Sequence, residues 1–224
     1  IEDCTPNVLE LRDLLLAKSQ YTLVKLSPML DWRKAVADFD GTVREVHIVA
    51  TGNECKELLL VLGQQVHEEP SAPRVFCVND NQRIDYDSAS YTQGLRIGGK
   101  PLPEAKNYLY EPNASIMKAG CFDLVEERFG VTQVGPSSHL FVSATPVADF
   151  PGRGFAIEAI GGMNKKDIKR LLNGTKQANI AVRNFPLTAP QLRKKLKLAD
   201  GGPVYLFGTT MQGCDHVLLR TSKI

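Results

Sequence analysis

Long apolar runs are missing from this 224-residue sequence, and their absence sets the first limits on the protein. No segment approaches the roughly 18 consecutive apolar residues that a membrane-spanning helix needs. No basic, then apolar, then small-residue pattern at the N-terminus indicates a signal peptide. We therefore expect a cytoplasmic protein with no membrane partner. Because the chain opens with IEDC at Ile1, its start was processed or cut from a longer protein, and we favour the cut.

Cysteine and histidine are sparse and widely spaced. The sequence has no CxxC pair and no histidine at zinc-ligand spacing, so neither a disulfide framework nor a metal site is indicated. Free cysteine packs as a small hydrophobe, and we expect reduced core or surface thiols. The five cysteines are Cys4, Cys55, Cys77, Cys121 and Cys214.

A glycine-rich nucleotide loop between a first strand and its helix is also missing. Such a loop lets backbone amides approach a bound phosphate or cofactor. PGRGF (151–155) precedes a predicted strand, and Gly98 and Gly99 lie in an aperiodic loop. The glycines at 161–162 follow a predicted strand but lack the third glycine, and those at 201–202 open a predicted hairpin. GxSxG, HExxH and Walker sequences do not occur either, so the common hydrolase, metalloprotease and P-loop sites are excluded.

What is present is a series of short periodic segments. Residues 1–87 alternate between helix and strand patterns, which predicts the later half of a mostly parallel sheet. The predicted elements are a helix opened by Thr5 and Pro6, a strand at 21–26, a helix at 29–39, a strand at 43–50, a helix at 53–62, and hairpin strands at 74–78 and 83–86.

The remainder reads as two smaller units after an aperiodic stretch. We expect a linker at 88–107, a small compact unit at 108–145 and an α+β domain at 150–224, which gives an α/β and α+β fold class overall. The predicted elements are a strand at 108–112, a helix capped by Asn113 and stopped by Gly130, strands near 131–134 and 139–144, a strand at 155–160, a helix at 165–172, a strand at 179–183, a helix at 190–197, and a hairpin of 204–209 with 216–220.

Charge is distributed unevenly, although the net charge is only +2. Residues 163–200 carry ten basic and two acidic side chains, a surplus of eight, whereas residues 1–100 carry eleven basic and fifteen acidic side chains. A surface that faces a polyanion is therefore expected near the C-terminus.

Several strings in the sequence resemble one family. They are KLSPMLD (25–31), VREVHIVATGNECKELL (43–59), YLYEPNASIMKAG (108–120), FPGRGF (150–155) and VRNFPL (182–187). Together they are similar to the bacterial class I S-adenosylmethionine-dependent methyltransferases that end in a THUMP-like domain.

The resemblance implies that residues 1–87 are the C-terminal part of a Rossmann-like methyltransferase core. It also implies that 108–145 form the family's ferredoxin-like unit and that 150–224 form its THUMP-like domain. The glycine-rich loop for S-adenosylmethionine would then lie upstream of Ile1. The isolated chain is accordingly expected to be inactive and to bind no cofactor, and RNA is the expected partner by analogy with THUMP domains.

One candidate site lies at the end of the first predicted strand. Lys25, Ser27 and Asp31 come where a parallel strand would end and a helix begin, the edge of open α/β sheets at which ligands bind. They are candidates for the rim of the methyl-transfer pocket. The alternative is purely structural, with Ser27 as the cap, Pro28 in the first helical turn and Asp31 favoured by the helix dipole. Asn53 and Glu54 repeat the position, and there capping is favoured.

The other candidate site is the basic segment, for which we expect contacts to RNA phosphates. Solvated helix faces are the alternative interpretation. Phe155, Phe185 and Phe207 could stack on bases, although core packing is favoured for aromatic residues in strands. The candidate RNA-binding residues are Arg153, Lys165, Lys166, Lys169, Arg170, Arg183, Asn184, Arg193, Lys194 and Lys195.

A non-enzymatic function is the second hypothesis. A sheet that lacks its upstream strands would present an unpaired edge, and such edges invite pairing with another chain. The chain could then act as a protein-interaction or oligomerisation module.

Overall fold

A computed structural model describes residues 1, 5–64, 72–90, 102–213 and 215–224. The chain divides into two compact units. The first contains Ile1–Gln93 and Asn113–Cys121, and the second contains Gly94–Pro112 and Phe122–Ile224. Much of the expected linker, residues 91–101, lies outside the described residues, as do Cys4 and Cys214.

The described elements are six α-helices, twelve strands and one short 3-10 turn, Ser88–Ser90. The helices are α1 (Val8–Lys18), α2 (Trp32–Asp38), α3 (Ala114–Ala119), α4 (Phe122–Phe129), α5 (Lys165–Leu172) and α6 (Ala189–Leu196). The strands are β1 (Tyr21–Leu26), β2 (Val43–Thr51), β3 (Glu54–Gly63), β4 (Arg74–Asn79), β5 (Gln82–Asp87), β6 (Tyr108–Pro112), β7 (Thr132–Gln133), β8 (Phe141–Ser143), β9 (Gly152–Gly161), β10 (Asn179–Arg183), β11 (Val204–Thr210) and β12 (His216–Lys223). The mixed α/β class predicted from the sequence is confirmed.

The first unit is built on a five-stranded sheet in the order β1-β3-β2-β4-β5. Only β2 and β4 pair in parallel, and the other three pairings are antiparallel. The expectation of a mostly parallel sheet is therefore wrong for the described strands. The cause is β3, for which the sequence pattern predicts a helix.

The β2–β3 hairpin explains that error. Gly52 and Asn53 both have positive φ, 57° and 63°, as a two-residue hairpin turn of this hand requires. Leu58, Leu60 and Leu62 are then buried at the two-residue spacing of a strand. The run of leucines and the preceding asparagine also fit a capped helix. The signal that distinguishes the strand from a helix is therefore the glycine-asparagine turn.

Two helix starts also differ from the predicted ones. Asn7 caps α1, rather than Thr5, and Asp31 caps α2, rather than Ser27. The single helix expected between Asn113 and Gly130 is two helices, because Gly120 adopts a left-handed conformation (φ 67°) that ends α3. Helix α3 packs on β2, β3 and β4 of the five-stranded sheet.

The second unit is built on a seven-stranded sheet in the order β10-β11-β12-β9-β6-β8-β7. All neighbouring pairs are antiparallel except β10 and β11. Strand β7 is at one edge of this sheet, and β10 is at the opposite edge, next to β11. Residues that follow β7 form hydrogen bonds with residues that follow β10 and β11. Val134 O accepts from Gln212 N at 2.9 Å, and Pro136 O accepts from the Asn184 side chain at 2.8 Å. The sheet is therefore strongly rolled.

Each face of the rolled sheet has its own hydrophobic core. On the outer face, α5 and α6 contribute Leu171, Leu192 and Leu196 to one cluster with Leu206 and Leu218 of the sheet. The inner face has a second cluster, formed by Leu109, Phe155, Phe207 and Leu219 with Val134, Leu140 and Val142. Because successive side chains of a strand point to opposite faces, membership of one of these clusters shows on which face of the sheet a strand residue lies.

Candidate nucleic-acid interface

Helix α5 carries the first group of predicted phosphate contacts, and its bounds agree with the prediction. The Asn164 side chain accepts from Asp167 N and caps the helix, and Leu171 is fully buried. Lys165, Lys166 and Lys169 are exposed on the opposite side. The helix therefore presents ammonium groups to solvent because its leucines face the sheet.

Helix α6 repeats the arrangement. The predicted capping box is present, because Thr188 accepts from Gln191 N and the Gln191 side chain accepts from Thr188 N. Leu192 and Leu196 are buried, and Lys194 and Lys195 are exposed. Their helix is thus amphipathic in the same sense as α5.

The lysines of α5 and α6 lie in one layer of the second unit. Both helices bury their leucines in the same cluster, on the same face of the seven-stranded sheet. Within the described residues, no hydrogen bond or ion pair engages these lysine ammonium groups. We call Lys165, Lys166, Lys169, Lys194 and Lys195 the lysine layer.

The arginines of the same helices are engaged within the protein. Arg170 donates to Ile160 O at 2.7 Å and to Asp167 at 3.2 Å. Arg193 donates to Ala178 O and Ala199 O at 2.9 and 2.8 Å, and it also pairs with Asp200. These two guanidinium groups join each helix to the adjoining loops and strands.

Arg153 and Arg183 lie on the other face of the sheet from the lysine layer. Arg153 shares its face with Phe155, two residues along β9, and Arg183 shares its face with Ala181 of β10; both neighbours pack in the inner cluster. Both arginines bind Glu111, which is 3% exposed. Arg153 Nε donates to one carboxylate oxygen at 3.0 Å and Arg183 Nη2 to the other at 2.7 Å. The ten predicted residues therefore do not form a single surface.

Asn184 and the three phenylalanines considered for base stacking make contacts within the protein. Asn184 has a left-handed backbone (φ 49°), and its side-chain amide donates a hydrogen bond to Pro136 O. Phe155 and Phe207 are 0% and 1% exposed, so they are core residues, in agreement with the favoured alternative. Phe185 is partly buried against the outer cluster and lies edge-on to His216, 6.0 Å between ring centres.

The candidate pocket rim in the first unit lies on an edge strand. Lys25 Nζ pairs with Glu57 at 3.0 Å across the antiparallel β1–β3 pair, and the Ser27 hydroxyl accepts from Met29 N at 3.3 Å. Asp31 accepts from Arg33 N at 2.8 Å and Lys34 N at 3.0 Å. The amide of Lys34 is the main cause that lowers the pKa of Asp31. Among the described residues, no parallel neighbour of β1 places these groups as predicted.

The carboxyl ends of the parallel strands β2 and β4 are closed by an internal polar network. Asp80 accepts from Gly52 N, and Asn79 accepts from Asn53 N, each at 3.1 Å. The favoured capping of a helix at 53–62 by Asn53 is wrong, because residues 54–63 form β3 and Asn53 lies in the turn before it. Its side chain instead accepts from Ala114 N, at the start of α3, at 2.9 Å, beside the helix N-cap Asn113. Sequence reasoning missed this contact because it joins residues 61 positions apart.

This network does not fit S-adenosylmethionine. Its side chains bond to one another and to the start of α3. In the described residues of the first unit, no glycine-rich loop opens from a strand into a helix, and Gly161 and Gly162, between β9 and α5 of the second unit, lack the third glycine of such a loop. The residues that the structure describes contain no group of three or more His, Cys, Asp or Glu side chains placed to hold a metal ion. None of the described helices is long and apolar enough to cross a membrane.

Comparison with known proteins identifies the C-terminal half. Residues 108–151 match a ferredoxin-like domain family, and residues 152–223 match a family described as THUMP domain-like. No curated protein matches the chain.

One solved structure is similar along nearly the whole chain. It is the crystal structure of a "putative methyltransferase" from Porphyromonas gingivalis W83, with a TM-score of 0.88 and 33% sequence identity. The match covers 99% of this chain and 56% of that one, so the chain spans little more than half of the similar protein. The recognition made from the sequence is thereby confirmed: the chain carries a ferredoxin-like domain followed by a THUMP-like domain.

Proposed function

We propose that this chain is the substrate-docking, C-terminal part of an RNA-directed, S-adenosylmethionine-dependent methyltransferase, and that RNA docks on the lysine layer. The observation that carries the proposal is the layer itself. Five ammonium groups lie on one helical layer of the THUMP-like domain without a partner among the described residues.

Lysine is suited to this kind of docking. An ammonium group on a flexible stem acts as a point charge toward phosphate and imposes little geometry. Contacts of that kind position the nucleic acid without reading its sequence, and they weaken steeply as salt rises. The layer therefore supplies affinity and orientation, and the choice of the methylated nucleotide belongs to another part of the protein.

The methyltransferase part of the proposal depends on the similar structure. That protein is described as a methyltransferase, and 44% of its chain lies outside the match, by difference from the 56% that is covered. We assign the cofactor loop to polypeptide upstream of Ile1 in a longer, cytoplasmic protein. Lys25, Ser27 and Asp31 stay candidates for the pocket rim, and support comes from β1, which among the described residues pairs only with β3 and so leaves an edge for upstream strands.

Two measurements on the same sample test the proposal. Titration of the chain with a fluorescent RNA at low salt should give saturable binding, whereas calorimetric titration with S-adenosylmethionine should give no heat of binding. A longer polypeptide that includes the upstream region should bind both and transfer a methyl group. Tight cofactor binding by the 224-residue chain, or no RNA binding at low salt, would contradict the proposal.

An interaction module is the second candidate function, and the edge of the five-stranded sheet favours it. Among the described residues, β1 pairs only with β3. Tyr21 and Leu23 of β1 are 61% and 63% exposed. An apolar edge of this kind invites another strand. Self-association in sedimentation that Leu23→Lys abolishes would favour this function; monomers at all concentrations would exclude oligomerisation through this edge.

A further inference from the structure

A shallow depression of about 480 Å³ runs along one side of α6. Its volume is within the range of small-molecule sites, roughly 300–1,000 Å³. Its lining has three apolar and three basic residues, which we call its floor and its rim, and Lys197, which follows the helix, is one of the basic residues. The lining residues are Ala189, Pro190, Arg193, Lys194, Lys197 and Leu198.

Lys197 occupies a backbone position that suits glycine. It is the C-cap of α6, with φ 56° and ψ 45°, in the left-handed region. Glycine and asparagine adopt that conformation readily, whereas other side chains adopt it at a cost in stability. The backbone therefore does not account for a lysine here.

The helix dipole does not account for it either. A positive charge at a helix C-terminus is favourable, but the last turn already holds Arg193, Lys194 and Lys195. Lys197 is exposed, and no contact within the described residues engages its ammonium group. What Lys197 adds is a second unpartnered ammonium group on the depression, beside that of Lys194.

We propose that this depression binds one nucleotide of a single-stranded RNA, with its phosphate between Lys194 and Lys197 and its base or ribose on the floor of Pro190 and Leu198. Arg193 forms a fixed wall, because two backbone carbonyls and Asp200 hold its guanidinium. The inference rests on the proposed function and adds a defined subsite to a layer that otherwise acts by charge. Stacking and apolar contact with bases add affinity in single-strand binders without selecting sequence.

The test is Lys197→Gly in the full chain, read by two measurements. The melting temperature should rise by a few degrees, because glycine relieves the left-handed backbone. The affinity for a single-stranded oligouridylate should fall at least about fivefold, as expected when the subsite no longer holds the phosphate from both sides. Gain of stability together with weaker binding is a result that a purely structural role cannot give.

Lys176→Gly is the matched control, because it removes the same charge from an exposed position of the same domain outside the depression. It should lower affinity by less than about twofold. Equal affinities for the two variants would overturn the subsite while leaving the proposed function intact. Failure of the unmodified chain to bind the oligouridylate at low salt would instead overturn the proposed function.

Competition identifies the ligand class. An oligoglutamate peptide of equal charge should displace the oligouridylate from the unmodified chain only weakly, because it has no base to place on the apolar floor. Equal displacement by both polymers would overturn the assignment to a nucleotide and make the depression part of a general polyanion surface.

Discussion

The lysine layer and the arginine pair of β9 and β10 carry the same kind of charge in the same compact unit, but the structure uses them differently. The lysines of α5 and α6 extend from one face of the sheet without partners among the described residues. Arg153 and Arg183 lie on the other face and close over the buried carboxylate of Glu111. A surplus of basic residues in a sequence therefore overstates the charge that is available to a ligand.

The chemistry of the two side chains explains the division. Guanidinium is planar and always charged, and its several donors satisfy carbonyls and carboxylates in fixed geometry, so arginine suits structural ion pairs. Ammonium is strongly hydrated and stays in water on its flexible stem. Available charge in this domain is accordingly lysine charge, and five of the exposed lysines lie on two helices.

The largest expected effect comes from removing the carboxylate that holds the arginine pair. Glu111→Gln leaves two guanidinium groups without their counter-charge, and the free energy of opening of β6 and β9 should fall by about 3 kcal/mol. Hydrogen exchange of the β6 and β9 amides measures it. Glu158→Gln is the control, because Glu158 is 40% exposed and pairs with Arg220 near the surface; it should cost less than about 1 kcal/mol. Similar costs for both variants would remove the contrast between the two regions.

The next effect concerns the lysine layer. Reversing the charges of Lys166, Lys169, Lys194 and Lys195 to glutamate should weaken RNA binding at least about hundredfold, or about 2.7 kcal/mol, with little loss of stability. The slope of log affinity against log salt should also fall by about 0.7 for each phosphate that the variant no longer neutralises. Fluorescence anisotropy with a labelled single-stranded RNA measures both quantities.

The control reverses four lysines of the first unit, Lys18, Lys34, Lys56 and Lys118, which changes the net charge equally. RNA affinity that falls as far in the control would mean that net charge, and not the layer, determines binding.

A smaller effect separates charge from hydrogen-bond geometry. Arg183→Lys keeps the positive charge but loses the two guanidinium N–H groups that donate to Glu111 and to Val182 O. We therefore expect the free energy of unfolding to fall by about 1–2 kcal/mol and the RNA affinity to change by less than about twofold. Lys166→Arg, the reverse exchange in the lysine layer, should leave stability within about 0.5 kcal/mol. Urea denaturation and anisotropy on both variants provide the comparison. A large loss of RNA affinity in Arg183→Lys would place Arg183 in the interface after all.

The smallest effect is a titration in α5. The amide of Gly162, the Asn164 side chain and Arg170 lower the pKa of Asp167, in that order of importance. A lowered pKa means that the carboxylate's contribution to stability is present above the unfolded-state value and is lost as pH falls through the folded value. Arg170→Gln should raise the Asp167 pKa only part of the way, because the Gly162 amide stays in place.

Carboxyl-carbon NMR over the acid range measures this change, with Arg193→Gln as a control that should leave Asp167 unaffected. An Asp167 pKa that is the same in Arg170→Gln as in the unmodified protein would show that Arg170 does not stabilise the ionised carboxylate.

Local signals predicted much of the fold. The bounds of α5 and β10, and the capping box of α6, follow from caps, periodicity and turn residues within a few positions of each element. Where two local patterns compete, the sequence alone misleads. The leucines of β3 fit both a helix and a strand, and Gly120 divides a pattern that otherwise reads as one helix.

The sequence by itself determined that two helices near the C-terminus turn their leucines inward and their lysines outward, and it contained the strings by which the ferredoxin-like and THUMP-like domains were recognised. Only the tertiary structure decided which basic groups are uncommitted. The physical reason is distance along the chain: Glu111 lies 42 residues from Arg153 and 72 residues from Arg183, and only the rolled sheet brings the three together. Helical spacing is a local property, whereas the pairing of a buried charge depends on the whole fold.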